Sequence, residues 1–221
     1  MKDKGGKDMA KTLPNIVYLN DNGNTKVDSD SSEYLLEFYK SPEFFSSAES
    51  KTKFLKDCER LVRTNKRYSA YINYLKTKVK LNHCQVLSKL SDEKVTIEMH
   101  HGPIFTLYDI CEIITDYYIE KGWKISTFRI AKQVLDEHWK NNIQVVMLST
   151  TVHQEVTSRE IWLNMQQAWG NLPRFLKKYK LNDELKEKYN RYVDESMMRD
   201  STTYEILKLN EKIFEKGGIE E

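Results

Sequence analysis

Four of the chain's five histidines, His100, His101, His138 and His153, fall within fifty-four residues, and the fifth, His83, lies shortly before them. Neutral imidazole binds transition metals and exchanges protons near pH 7, so histidines from remote stretches that converge could hold a divalent cation. Oxygen ligands would complete the shell. Phosphodiester hydrolysis needs such a set: ligands that place a cation on the phosphate, and a nearby base for water. The bland reading of the same residues is a loop pair at 100 and 101 and a hydrogen-bonded core imidazole at 138. Residue types alone leave both open.

The surrounding sequence predicts elements that would carry these side chains. KVTIEMH alternates apolar and polar residues, which predicts a strand with Glu98 and His100 on one face, broken by Gly102-Pro103. With CQVLSKL before it, the segment reads as a β-hairpin. Thr106 with Asp109 predicts the start of a helix ending near Gly122, and Ser126 caps a second helix, stopped by Asn141-Asn142, that puts His138 on its apolar stripe. QVVML reads as a returning strand, and Ser149 as the cap of a short helix bearing His153. IWLN at 161–164 is expected as a short strand, with helices at 165–180 and 182–196 and a final amphipathic piece.

The chain has 221 residues, with 39% hydrophobic, 31% charged and three cysteines that form no CxxC pair. Those values predict a globular protein without a disulfide scaffold. No long apolar run occurs and the N-terminus is charged, so no membrane partner and an intracellular, cytoplasmic setting are expected. The net charge of +2 conceals a basic stretch, residues 51–80, with ten Lys and Arg against two acids. Its apolar residues recur every three or four positions, which predicts a long amphipathic helix broken near Thr64-Asn65. Lys56, Arg60, Arg63, Lys66 and Arg67 lie opposite the apolar stripe, where they would meet phosphates, as would Arg159 and Arg174. A solvated face or a homodimer seam are the alternatives for this helix. Tyr68, Tyr71 and Tyr74 are expected to pack, and Trp123, Trp139, Trp162 and Trp169 to be core residues or lids over it.

IEMHHGP at 97–103 and VVMLSTTVHQEV at 145–156 resemble the two halves of the motif of HNH (His-Asn-His) endonucleases, in particular phage-encoded ones. The resemblance covers roughly residues 82–175. It implies a metal-dependent endonuclease acting on DNA, with His100, His153 and His138 as metal ligands and His101 as the base. Asn142 or Gln144 would take the place of the central Asn. Magnesium, manganese and zinc are all compatible cofactors. Thr157 stands where many members carry a further histidine, which implies as the alternative a catalytically degenerate module for DNA or protein binding. An accessory helical protein without nucleic-acid contact is the third reading. The expected fold is α+β, mostly helical, with a small β-hairpin or ββα-metal core and a two-helix insertion. Its parts are a flexible tail over 1–32, a basic helical arm over 33–81, the core over 82–180 and a helical extension over 181–221.

Overall fold

Helix ends are set by side chains and backbone turns that take up otherwise unpaired amide and carbonyl groups, and most ends here are legible in those terms. The computed structural model describes residues 15–18, 25–28 and 39–199. The chain divides into two compact units, Met1–Lys40 and Ser41–Glu221. In the first, β1 (Asn15–Tyr18) pairs antiparallel with β2 (Thr25–Asp28), so part of the expected flexible tail is paired strand. The rest of residues 1–32 and the final amphipathic piece lie outside the described residues.

The second unit begins with a 3-10 turn, Pro42–Ser46, followed by α1 (Ala48–Thr64) and α2 (Lys66–Thr77). The expected break is present and Asn65 makes it. Extended at φ −79° and ψ 136°, it ends α1, and its side chain then accepts from the Arg67 amide to start α2. After an irregular stretch come β3 (Ile97–His101), α3 (Leu107–Glu120), α4 (Thr127–Trp139), β4 (Val145–Ser149) and α5 (Thr150–Thr157). A 3-10 turn, Met165–Gln167, leads to α6 (Leu172–Lys178) and α7 (Asp183–Arg199). The architecture is α+β: described helices around one small antiparallel sheet, with α3 and α4 inserted between its two strands. None of the described helices is long and apolar enough to cross a membrane.

The α3 start is a capping box, in which Thr106 and Asp109 each bond the other's backbone amide. Its end is a left-handed turn at Gly122, φ 64°, where Gly122 N–H donates to Ile119 O and Trp123 N–H to Tyr118 O. The Trp123 ring closes the turn edge-on against Tyr118. The same pattern ends α4 at Asn141, φ 55°, with Asn142 N–H donating to Glu137 O.

Several expected elements differ. CQVLSKL forms no strand, and β3 pairs with β4 instead, Met99 facing Met147 and His101 facing Val145. The Gln85 side chain occupies the far edge of β4: its Oε1 accepts from Met147 N–H, while Gln85 N–H donates to Met147 O. Gln85, together with the Trp169 backbone paired to Val145, thus covers an edge that a second strand would otherwise take. IWLN is irregular, and Asn171 caps α6 afresh after the 3-10 turn, so 165–180 is not one helix. The next helix runs over 183–199.

The core gathers one face of each helix around the fully buried β4. Phe54, Leu55, Cys58 and Val62 of α1 and Ile110, Ile113 and Ile114 of α3 contribute to it, as do Ile130, Val134 and Leu135 of α4. Continuous burial explains why VVML reads as apolar throughout rather than alternating. Tyr68 and Tyr71 are buried, as expected for packing residues. Trp169 is partly buried and its backbone pairs with Val145, but Trp123 and Trp139 are among the exposed large hydrophobics.

Candidate functional site

Side chains alternate across a strand, so two histidines in succession face opposite ways. On β3 the even positions Glu98 and His100 are half-buried on one face, and His101 is buried on the other, 5% exposed. That alternation divides the expected histidine constellation into two clusters.

The first cluster joins β3 to α5. Because α5 starts at the residue after β4, the strand facing β3, His153 on its first turn reaches back over that sheet. His153 Nδ1 donates to Glu98 Oε2 at 2.7 Å, and the His100 and His153 rings meet edge-on with centroids 4.9 Å apart. Partial burial, the charge of His153 and Arg63 lower the His100 pKa from 6.5 to about 4, which leaves it neutral. Gly102 leaves room for this ring, since a Cβ there would stand 3.0 Å from His100 Nε2. Thr157, four residues after His153, donates its hydroxyl back to the His153 carbonyl at 2.8 Å and adds no side-chain ligand.

In the second cluster His101 Nε2 lies 2.9 Å from His138 Nε2, while His138 Nδ1 lies 2.8 Å from the Val134 carbonyl. The carbonyl only accepts, so His138 carries its proton on Nδ1. Its bare Nε2 then accepts from Nε2–H of His101, and one hydrogen-bond pattern fixes both tautomers. Tyr68 stacks over His101, and Tyr68 and Tyr71 meet His138 edge-on. Burial, followed by the charges of His138 and Arg63, holds the His101 pKa well below its usual value. Burial also lowers that of His138 to about 4, against the opposing pull of Val134 O and Glu137.

These positions bear on the roles expected of the histidines. His101 is buried, with its Nε2 proton committed to another ring. His138 uses both nitrogens inside the core and has none to offer a cation shared with His100 and His153. Among the described residues no three His, Cys, Asp or Glu side chains are grouped to hold a metal ion.

Asn142 and Gln144 have other work as well. Asn142 Nδ2 donates to Glu137 Oε2 at 2.6 Å, and Gln144 Nε2 contacts Met165 Sδ at 3.6 Å. Glu137 is the residue that sequence reasoning missed. Fully buried, its carboxylate accepts from Lys178 Nζ, Tyr179 OH and Gln133 Nε2, each at 2.8 Å, as well as from Asn142. Burial raises its pKa, but the hydrogen bonds from Lys178, Asn142 and Tyr179 outweigh this and lower it. Its position three residues after Val134, on the apolar stripe of α4, was the available signal. Its partners on α6 were too distant in sequence to be paired with it.

The basic face is engaged within the chain in part. Arg60 pairs with Asp57 and Arg63 with Glu59 on α1, and Arg67 on α2 pairs with Asp136 of α4 at 2.8 Å. Lys56 and Lys66 are exposed. Arg159 is exposed too, and at φ 67° it makes the left-handed turn that closes α5, with Glu160 N–H donating to Glu155 O. Arg174 is exposed as well, so three of the seven cations expected to grip phosphate already hold carboxylates.

Comparison with known proteins bears on the same question. The model of one family, described as bacteriophage G278-like virion protein, matches residues 6–219. No curated protein matches the chain, and no solved structure does. The match spans nearly the whole chain and is not to a nuclease family. It overturns the resemblance to HNH endonucleases, and with it both the endonuclease function and the degenerate HNH module. Phage origin, which the resemblance also implied, stands.

Proposed function

Because the chain belongs to the bacteriophage G278-like virion protein family, we propose that it is a structural component of the phage particle. On this reading it is made in the host cytoplasm and carried in the assembled virion, where its role is contact with other particle components. The single observation that carries the reading is the family match over residues 6–219. The interior of the described helical unit is consistent with such a role. Its buried polar groups tie elements to one another: Glu137 binds α4 to α6, and the His101–His138 pair binds β3 to α4. Groups engaged in this way make a rigid body, which suits a part held in a lattice of contacts.

The test is to band phage particles in a density gradient and quantify the chain by mass spectrometry across the fractions. Co-migration with the infectious band, at a fixed ratio to the main particle proteins that survives a high-salt wash, is the expected result. Abundance in the infected lysate with none in the washed particles would overturn the proposal.

A further inference from the structure

A small cavity of about 10 Å³ lies where the chain enters β4 beside α3 and α6. Phe105, Ile110, Leu172 and Phe175 form its apolar walls, and Asn142 and Gln144 also line it. Asn142 is 4% exposed, and its Oδ1 is a buried oxygen without a hydrogen-bond partner. Orphaned acceptors at this depth are uncommon and call for a physical account.

Reversing the amide does not supply one. The Asn142 nitrogen donates to Glu137 Oε2 at 2.6 Å, and a flipped amide would set oxygen against a carboxylate. The oxygen is therefore correctly placed and needs a donor. Gln144, 8% exposed, has the complementary deficit, for its Nε2 meets only the weak acceptor Met165 Sδ, at 3.6 Å. A cavity on this measure needs roughly 10–15 Å³ and at least two polar partners to hold one water molecule. Both conditions are met.

We propose that this cavity is a binding site for one ordered water molecule, which donates to Asn142 Oδ1 and accepts from Gln144 Nε2. The water extends the Glu137 cluster: α6 reaches α4 through Lys178 and Glu137, Glu137 reaches Asn142, and the water carries the connection to Gln144 at the approach to β4. The main-chain carbonyl of Gln144 accepts from the Gly102 amide at 3.4 Å, so the chain of contacts ends beside the β3 histidines.

Water-to-methyl cross-relaxation in methyl-labelled full-length protein tests this, because the methyl groups of Ile110 and Leu172 line the cavity and their protons do not exchange with solvent. Cross-peaks at the water frequency to these methyls, of opposite sign in the laboratory and rotating frames, are expected for a long-lived bound molecule. Their absence in folded wild-type protein would overturn the proposal. In Asn142→Val the acceptor is gone and the same cross-peaks should be lost. If they persist unchanged in that variant, Asn142 is not the anchor and the proposal fails. Should the variant not fold, the wild-type spectrum decides alone.

Discussion

Glu137→Gln keeps the shape of the most buried carboxylate described and removes its charge. One terminal oxygen becomes an NH2 group, and the four donors around Glu137 leave it no suitable place. Set at Oε1 it faces Lys178, Tyr179 and Gln133, and set at Oε2 it faces only the Asn142 amide, so the second orientation is the less costly. A buried donor opposite a donor costs about 1–3 kcal/mol. Lys178 also loses a charged partner, but at 39% exposure it can turn to water, which adds about 1 kcal/mol. The total is about 3 kcal/mol, or roughly 6–12 °C in Tm for a domain of this size. Urea unfolding at pH 7 followed by tryptophan fluorescence measures it. Adding Asn142→Asp should restore much of the loss, because the new NH2 then meets a carboxylate, whereas Asn142→Asp alone sets two carboxylates against each other. A loss under about 1 kcal/mol for Glu137→Gln, or strictly additive effects in the double-mutant cycle, would refute this account of the cluster.

Three further outcomes follow from local geometry. The buried imidazoles bind protons more weakly folded than unfolded, so stability should be constant above about pH 6.5 and fall as the pH drops towards 4. For His138, with a folded value of about 4, the loss at pH 5 is about 2 kcal/mol, and equal urea midpoints at pH 7.5 and pH 5 would contradict it. Gly170→Ala should cost more than about 2 kcal/mol in the same unfolding assay; the residue sits at φ 125°, and a Cβ there would lie 2.2 Å from the Ile143 carbonyl oxygen. Arg159→Gly should raise the thermal midpoint slightly, by about 0.5 kcal/mol of stability, because glycine adopts the φ of 67° that closes α5 without side-chain strain. A lowered midpoint would show that the Arg159 side chain makes a contact worth more than that strain.

What could be read without coordinates was local. Thr106, Ser126 and Asn65 cap helices because the bonds involved span two or three residues, and Gly122 and Asn141 end them because both readily take positive φ. Alternation in KVTIEMH correctly put Glu98 and His100 on one face, and QVVML was correctly read as a strand. The strand partner was legible in part, since QVVML was expected as a returning strand behind a two-helix insertion. Two neighbouring apolar runs suggested a hairpin, yet β3 passes over its neighbour to pair with β4, whose start is forty-four residues beyond its end, with two helices between. The site follows the same division. Sequence joined His100 to His153 but placed His101 and His138 beside them, although strand alternation itself turns His101 to the opposite face. That His138 would be its partner, and that Glu137 would be enclosed by Lys178, Tyr179, Gln133 and Asn142, depends on how α4, α6 and β3 pack. Short-range hydrogen bonds act between residues already adjacent in the chain, and so leave their mark in its order. Which distant side chains meet is settled only when apolar faces are buried together, and that is why the chemistry of the buried polar clusters became visible only in the folded molecule.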